Sequence, residues 1–408
     1  MAGPLPDCEA LDAADPLARF RDRFVLPEGV TYLDGNSLGA LPRATSARLA
    51  AVVEQEWGEG LIRSWNAAGW IDAPHRVGAK IARLIGAAED EVVVADSTSV
   101  NIYKLLCAAL AADPRRTVLL TEPDNFPTDL YIAQGIAEAC PGVTVRTLPR
   151  DAILDALGPS TVLLLTHVHY KSGARFDMAA VERRAAEVGA VVVWDLSHSA
   201  GGLQLDLAGD RAQLAAGCGY KYLNGGPGAP AFLYVARALQ SQLISPLTGW
   251  MGHAAPFAFS DRYEPAAGLA RFLCGTPPIL GLAALECGVD IVLEAGIEAL
   301  AHKGRALGDR FIAEVAACCP GLELASPRDA TARGNHVSFR HPHGYEVAQA
   351  LIARGVIGDF RDPDLVRFGF APLYTRFADV RHAAQTLGEV LARELWREPR
   401  FAERASVT

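Results

Sequence analysis

The sequence predicts an α/β fold whose main sheet is mostly parallel. Short apolar runs recur along the chain, helical patterns separate them, and the runs are apolar on both faces. The runs are EVVVA from Glu91, RTVLLT from Arg116, VTVRTL from Val143, TVLLLTHV from Thr161 and AVVVWD from Ala190. Helical patterns between them include those that begin at Thr128 and Asp177. Strands rich in Val and Leu that alternate with helices are typical of a parallel sheet covered on both sides.

The pattern changes near Pro277, where a long amphipathic helical stretch begins. Gly296 breaks this stretch, and Pro320 with Gly321 ends it. Three short strand candidates follow, NHVSFR, GVIGDF and LVRFGF, with helices between and after them. We therefore predict a large domain at 51–280, a smaller α+β domain at 281–408, and an N-terminal segment, 1–50, that packs with the small domain.

Composition excludes several classes of function. A chain of 408 residues with a net charge of −9 does not favour a nucleic-acid surface or a polybasic membrane patch. The eight cysteines contain no C-x-x-C pair, which indicates reduced thiols. The N-terminal residues are acidic and proline-rich, unlike a secretory signal, and no apolar run has the roughly 20 residues needed to span a bilayer. We expect a cytoplasmic protein that binds neither nucleic acid nor membrane.

Lys221 and Asp195 form the strongest candidate pair for chemistry. Lys221 lies in CGYKYLNGGPGAP, and Asp195 directly follows the apolar run AVVVW. Ligands of open parallel sheets bind at the carboxyl ends of the strands. Sites for pyridoxal phosphate combine a lysine that bonds covalently to the cofactor with an acid held against its ring nitrogen. Taken singly, Asp195 could be a helix cap and Lys221 a surface lysine in a turn.

The other four lysines are weaker candidates. Lys171 also follows a strand but has no acid nearby in sequence, so it ranks second. Lys80 and Lys303 lie among arginines in helical patterns, as on solvated helix faces. Lys104 follows an apparent helix start.

Three further features are compatible with a cofactor site. Thr98 and Ser99 come between a strand and a helix, where backbone N–H groups can bind phosphate, although a plain helix cap fits equally well. Phe126, in the loop NFPTD, could stack on a planar ring or pack within its own loop. The histidine pairs at 167 and 169 and at 341 and 343 lack further ligands, so no metal site is expected.

Taken together, these motifs resemble the kynureninase family along nearly the whole chain. The matching stretches are YLDGNSLGALP at Tyr32, GLIRSWNAAGW at Gly60, NFPTDLYIA at Asn125, WDLSHSAG at Trp194, GYKYLNGGPG at Gly219, PLTGWMGH at Pro246, RFLCGTPPI at Arg271 and RFGFAPLY at Arg367. The resemblance implies the aspartate aminotransferase-like fold of pyridoxal-phosphate-dependent transferases and a homodimer with active sites at the subunit interface. It also implies hydrolysis of L-kynurenine to anthranilate and L-alanine.

The resemblance assigns roles to individual residues. Lys221 looks like the lysine that holds the cofactor, and Asp195 looks like the partner of its ring nitrogen. The other cofactor-binding positions that match are Thr98, Ser99, Phe126, Pro127, Thr128, Asp129, Thr166, His198, Tyr220, Trp250 and Thr276, the last two lent by the other subunit. Arg367 is similar to the arginine that binds the substrate carboxylate. Tyr220 is also a candidate for proton transfer.

Substrate preference and alternatives follow from the same comparison. Trp65, Gly275 and Thr276 resemble the bacterial form of the aromatic-ring pocket, which implies that 3-hydroxykynurenine is a poorer substrate than kynurenine. Ser197 stands where relatives commonly have alanine. The nearest alternative function is another enzyme of the same fold, such as a cysteine desulfurase or an aminotransferase; a regulator without turnover would lack Lys221 or carry a DNA-binding segment. The reaction alone leaves open whether it serves tryptophan catabolism, NAD biosynthesis or anthranilate supply.

Overall fold

The structure is a computed structural model that describes residues 7–404. Its α-helices are α1 Cys8–Ala13, α2 Arg43–Ala51, α3 Ser64–Ala67, α4 Ala73–Ile85, α5 Thr98–Ala111, α6 Pro127–Ala139, α7 Met178–Val188, α8 Arg237–Gln240, α9 Ile279–Ala295, α10 Ile297–Cys318, α11 Gly344–Ile352 and α12 Phe377–Ala392. Its strands are β1 Phe24–Val25, β2 Thr31–Tyr32, β3 Leu41–Pro42, β4 Val92–Val94, β5 Val118–Thr121, β6 Thr144–Thr147, β7 Thr161–Thr166, β8 Val191–Asp195, β9 Leu214–Gly217, β10 Phe232–Val235, β11 Glu323–Leu324, β12 His336–Arg340, β13 Val356–Ile357, β14 Asp359–Arg361 and β15 Leu365–Gly369.

The main sheet has seven strands in the order β4-β10-β9-β8-β7-β5-β6. All neighbours are parallel except β10, which runs antiparallel to both β4 and β9. The predicted α/β class with a mostly parallel sheet is therefore confirmed. The sequence analysis did not predict β9 and β10, because β9 reads LAAG, which carries little strand signal, and β10 follows a Gly/Pro-rich turn.

Both faces of the main sheet are buried. Side chains of β8 alternate between the two faces, because successive residues of a strand point in opposite directions. Val192 and Trp194 pack in the cluster that contains Val181 of α7, whereas Val191 and Val193 pack in the cluster on the side of α5 and α6. The strand therefore ends with Asp195 already enclosed, and this acid is only 4% exposed.

A second, antiparallel sheet has the order β11-β12-β15-β14 and packs with α10, α11 and α12. The N-terminal segment joins this part through Leu33, whose N–H donates to the Ile357 carbonyl and whose carbonyl accepts from Gly369 N–H. It also reaches the main sheet, since Phe20 and Phe24 pack in the core that contains Trp194. Among the described residues, no helix is long and apolar enough to cross a membrane.

The division into domains stays a prediction, but the packing of α9 bears on it. Leu282, Leu285 and Val289 of this helix pack in the same core as Trp194, and α9 contacts α2 and α4. A boundary near Gly296, which separates α9 from α10 with a φ of +83°, accords better with this packing than one at residue 280.

Lys303 shows where sequence patterning was misleading. Its helix, α10, was expected to expose it, yet the residue is 6% exposed, and its Nζ lies 2.7 Å from Asp15 Oδ2 and donates to the Pro372 carbonyl at 2.7 Å. The expectation of a solvated lysine is therefore wrong, because the N-terminal segment brings Asp15 over this face of the helix. Lys80 remains partly exposed and pairs with Glu286 and Asp290.

Candidate active site

Lys221 lies in the connection between β9 and β10 and is only 7% exposed. Its Nζ is 3.2 Å from His198 Nε2 and 5.7 Å from the centre of the Phe126 ring. Burial lowers the pKa of the Lys221 amine, and it also lowers the pKa of His198 well below its usual value. The structure therefore brings together a lysine that loses its proton readily and a neutral imidazole.

The backbone around Lys221 is held by an unusually close neighbour. Gly39 N–H donates to the Tyr220 carbonyl at 2.8 Å, and a Cβ on Gly39 would lie 2.3 Å from the Lys221 carbonyl. Only glycine permits this approach. Asn224 then turns the chain away with a φ of +54° while its N–H bonds back to the Lys221 carbonyl at 2.9 Å. The N-terminal segment thus fixes the direction from which the lysine enters the site.

Asp195 ends β8 directly beside Thr166, the last residue of β7. Its Oδ1 accepts from the N–H of Ser197 at 2.8 Å and from the hydroxyl of Ser197 at 2.6 Å. Burial raises the pKa of Asp195, against the opposing effects of Lys221 and these hydrogen bonds. A cation placed beside the carboxylate would lower that pKa again.

Asp195 and Lys221, both buried, fit the two ends of one planar cofactor. Among the described residues, Asp195 and Lys221 form no ion pair with each other, although each perturbs the pKa of the other. Buried ionisable groups are costly unless they are paired and hydrogen-bonded, so a bound group that contacts both Asp195 and Lys221 would lower this cost. His198 Nδ1 is also buried without a hydrogen-bond partner in this part of the chain. A pyridine nitrogen against the acid and a carbonyl carbon at the amine satisfy this donor set, so the residues fit pyridoxal phosphate.

A buried hydrogen-bonded cluster supports this region from β5 and β7. Thr166 Oγ1 bonds to Asn125 Oδ1 and lies 3.2 Å from Asp129 Oδ2, and Asn125 Nδ2 donates to Thr121 Oγ1 at 3.0 Å. Burial, together with the nearby charge of Asp195, raises the pKa of Asp129 well above its usual value. The cluster fixes the loop that carries Phe126, Pro127 and Thr128, with Phe126 at the start of α6.

The predicted phosphate-binding residues begin α5. Ser97 caps this helix by accepting from Val100 N–H at 3.4 Å, and Thr98 and Ser99 form its first turn, where backbone N–H groups have no partner within the helix. An anion is favoured at this position by the free N–H groups and by the helix dipole. Tyr220 is half-buried, and its ring centre is 5.9 Å from Lys221 Nζ.

Arg367 is held by an acid that sequence reasoning missed. The arginine is 1% exposed; its Nε donates to Asp359 Oδ1 at 2.8 Å and its Nη2 to the second oxygen of the same carboxylate. Nη2 also donates to Ser37 Oγ at 2.8 Å, and Nη1 donates to the Tyr170 carbonyl. The ring of Tyr170 lies edge-on to Phe126 with 5.2 Å between ring centres, and Phe126 faces Lys221, so Arg367 belongs to the same site. Within residues 7–404, four of its five N–H groups therefore have protein partners, and one on Nη1 has none and could donate to a ligand.

Four predicted site residues lie apart from this centre. In the described part of the chain, no hydrogen bond or ring contact connects Trp65, Trp250, Gly275 or Thr276 with Lys221, Asp195 or Arg367. Trp250 is 38% exposed and lies against Phe257 and Phe259, whereas Trp65 lies edge-on to Trp70. Gly275 and Thr276 are exposed. Within one chain Trp250, Gly275 and Thr276 are exposed, and Trp65 is half-buried.

The site contains residues that the sequence analysis did not assign. Ser197 and Asn125 bond directly to predicted site residues, and Asp359 holds Arg367. The signal for Asp359 was present, because it lies opposite Arg367 in the register of β14 and β15. The histidines raised as metal candidates serve the backbone and neighbouring hydroxyls instead: His167 Nδ1 is 2.8 Å from Ser199 Oγ, and His169 Nε2 is 2.9 Å from the Asp124 carbonyl.

Two solved structures that share this fold are distant from this chain in sequence. A cysteine desulfurase from Thermococcus onnurineus NA1 superposes with a TM-score of 0.78 over 92% of this chain and 98% of its own, at 18% identity. A mutant of the protein C-DES, with glycine covalently linked to its PLP cofactor, gives a TM-score of 0.79 over 90% and 99%, at 19% identity. At such identities the likeness shows the fold alone. This fold, with a buried lysine and a buried acid at its sheet edge, defines a pyridoxal-phosphate-dependent enzyme of the aspartate aminotransferase-like class.

Sequence comparison identifies the family within that class. The chain is 53% identical to a kynureninase of Burkholderia mallei (strain ATCC 23344) over 98% of both chains. It is 52% identical to a kynureninase of Pseudomonas fluorescens over 98% of this chain and 99% of the relative. Residues 300–387 also match the family model described as the kynureninase C-terminal domain. The chain belongs to the kynureninase family.

Proposed function

We propose that Lys221, Asp195 and Arg367 form the catalytic centre through which this chain hydrolyses L-kynurenine to anthranilate and L-alanine. Membership of the kynureninase family makes the chain a hydrolase of a carbon–carbon bond. The observation that carries the assignment of residues is the buried Lys221 amine beside His198, close to a buried acid that it does not touch. A surface lysine in a turn would have neither the burial nor the partner.

The cofactor seat has two ends. Pyridoxal phosphate, when bound, withdraws electrons from the substrate's α-carbon. Asp195 would hold the ring nitrogen, with Ser197 keeping its carboxylate oriented. Thr98, Ser99 and Tyr220 would bind the phosphate. The residues that would enclose the ring are Phe126, Pro127, Thr128, Asp129, Thr166 and His198.

Lys221 and Tyr220 supply the proton transfers in this proposal. The lowered pKa of Lys221 leaves a free amine that can take the α-proton of the substrate. Burial raises the pKa of Tyr220 above its usual value, so its hydroxyl keeps its proton and can donate it. Water adds to the γ-carbonyl, so that Cγ leaves as the carboxyl group of anthranilate when the bond between Cβ and Cγ breaks. The β-carbon keeps the electron pair of that bond and takes up a proton, which requires a donor of this kind.

Arg367 is the proposed anchor for the substrate carboxylate. Its remaining Nη1 hydrogen provides one charge-assisted bond, and displacement of Ser37 Oγ would free a second on Nη2. Asp359 holds the guanidinium in place meanwhile and keeps its plane fixed. The hydrogen bonds to Asp359 leave fewer N–H groups of Arg367 for the substrate, but they fix the orientation of the guanidinium before the substrate binds.

The aromatic ring of kynurenine is assigned to residues from two subunits. Trp65, Gly275 and Thr276 would form its pocket, and Trp250 with Thr276 would reach the cofactor of the neighbouring subunit. The exposed apolar side chains of the described residues support a homodimer: they include Trp57, Leu61, Ile62, Leu280, Trp250, Phe257 and Phe259. Trp57 and Leu280 line one open groove of about 360 Å³. Exposed apolar patches of this kind on a folded protein mark interaction surfaces.

Parallel steady-state kinetics test the proposed reaction. With pyridoxal phosphate present, the full chain should release fluorescent anthranilate from L-kynurenine, and kcat/KM for 3-hydroxykynurenine should be lower. Cysteine, assayed for sulfide release, serves as the control for the desulfurase alternative. Sulfide release without anthranilate release would refute the proposal, and equal kcat/KM values for the two kynurenines would refute the assigned ring pocket alone.

Arg367→Ala is expected to lower kcat/KM for kynurenine, with a loss of about 2 to 5 kcal/mol of transition-state stabilisation. The reason is that the substrate carboxylate and Asp359 would both lose their charged partner. Arg367→Lys keeps the charge but loses the planar fork, so it should recover only part of this loss. Circular dichroism and the melting temperature of each variant separate misfolding from lost binding. An unchanged kcat/KM in a folded Arg367→Ala protein would rule out the anchor.

A further inference from the structure

Lys104 is a buried lysine that the catalytic proposal does not use. It lies on α5 and is 0% exposed. Its Nζ donates to the Asp96 carboxylate and, at 2.6 Å, to the Phe272 carbonyl. Burying an ammonium group is costly unless it is paired and hydrogen-bonded, so the two partners determine what this lysine can do. Asp96 is a neighbour in sequence, whereas Phe272 is 168 residues away.

The first partner, Asp96, directly precedes the turn that is proposed to bind the phosphate. Asp96 has a φ of +49°, a left-handed conformation that residues other than glycine, asparagine and aspartate rarely adopt. Its carbonyl accepts from Ala231 N–H at 2.9 Å, and its carboxylate is held by Lys104. This conformation sets the path of the chain into Ser97, which caps α5. Lys104 therefore stabilises the conformation that presents Thr98 and Ser99.

The second partner, Phe272, begins the loop that carries Thr276, one of the two residues assigned to the other subunit's site. Phe272 ends a 3-10 helix and is followed by Gly275 and Thr276, both exposed. The Cys274 carbonyl accepts from Met251 N–H at 3.2 Å, which ties this loop to the neighbouring turn that carries Trp250. The ammonium group of Lys104 thus connects the turn that would bind the phosphate, at Thr98 and Ser99, with the exposed loop at 272–276.

We propose that Lys104 is a positioning residue that couples cofactor binding to subunit association. This coupling rests on the proposed function, in which the phosphate binds at Thr98 and Ser99 and the loop at 272–276 enters the partner's site. A bound phosphate orders the turn and, through Lys104, the loop; association orders the loop and, through Lys104, the turn. Such coupling is reciprocal, so the cofactor tightens the dimer by the same factor by which dimerisation tightens cofactor binding.

Lys104→Met in the full chain tests the coupling, because methionine fills similar volume without charge. Cofactor affinity is measured by titrating apoprotein with pyridoxal phosphate and following its absorption. The dimer dissociation constant is measured by sedimentation with and without cofactor. In the wild type the cofactor should tighten the dimer by about tenfold. In Lys104→Met this ratio should fall severalfold, leaving only the coupling that Trp250 and Thr276 supply by direct contact, and cofactor affinity should fall by a similar factor.

Lys303→Met is the matched control. Lys303 has the same environment, a buried amine bonded to one carboxylate and one backbone carbonyl, but it joins α10 to the N-terminal segment and the loop before α12. It should lose stability as Lys104→Met does, yet keep the wild-type cofactor affinity and dimer ratio. Equal losses of cofactor affinity in both variants, or an unchanged ratio in Lys104→Met, would overturn the coupling.

Asp96→Asn provides a second route if Lys104→Met does not fold. Asparagine tolerates the left-handed conformation and keeps a hydrogen-bond acceptor, so only the charge is lost. Cofactor affinity and the dimer ratio should fall by a smaller factor, and wild-type values of both would overturn the proposal. Failure of the proposed function gives a different result, because the wild-type apoprotein would then show no saturable change in cofactor absorption.

Discussion

Lys221→Ala is expected to abolish kynurenine hydrolysis. It should also abolish the absorption band at roughly 420 nm that a lysine-bound pyridoxal cofactor gives. The variant loses both the amine that holds the cofactor and the group that takes the α-proton, so kcat should fall by about 10⁴-fold or more. The change should leave the fold intact, since the Lys221 backbone is held by Asn224 N–H and by the approach of Gly39. Anthranilate fluorescence and an absorption spectrum of the dialysed protein measure the two effects.

Lys171→Ala is the control for this result. Lys171 also follows a strand of the main sheet, but its side chain is 21% exposed, and its Nζ lies 3.8 Å from the carboxylate of Asp124, which is exposed. Its replacement should preserve the absorption band and turnover. The opposite pattern, with the band kept in Lys221→Ala and lost in Lys171→Ala, would transfer the role to Lys171.

Asp195→Asn is expected to produce the second largest loss, about a thousandfold in kcat. The amide has nearly the same shape and can still accept from Ser197, but it carries no charge to stabilise a protonated ring nitrogen. Removing the charge from this buried position also removes its desolvation cost. We therefore expect the melting temperature of the apoprotein to stay the same or rise while activity falls, a combination that general unfolding cannot give.

Ser197→Ala serves as the graded comparison. It leaves the Asp195 carboxylate in place and removes only the hydroxyl donor, while the backbone N–H of residue 197 remains. Loss of one hydrogen bond to a carboxylate should cost about ten- to a hundredfold. If Asp195→Asn were no more harmful than Ser197→Ala, the charge on Asp195 would have no role in catalysis.

The alternation of strands and helices could be predicted because a doubly covered parallel sheet demands apolar residues on both faces of each strand. Val191 to Trp194 show this directly, since alternate side chains enter two different cores. Strand β9 was not predicted because it consists mainly of small residues with little intrinsic strand propensity. Their strand conformation is determined by close packing in the tertiary structure. The phosphate turn could be predicted as a position, but not its dependence on Lys104, whose partner Phe272 is remote in sequence.

By itself, the sequence determined the fold class, the pairing of Lys221 with Asp195 as the best candidates, and the family resemblance, because these depend on local patterns and motifs. Only the tertiary structure decided how the charges are balanced. Lys303 is buried against Asp15, Lys104 bridges Asp96 and Phe272, and Arg367 is bound by Asp359. Each of these contacts depends on which segments meet in space, and burial turns an ordinary charged residue into one that must have a specific partner.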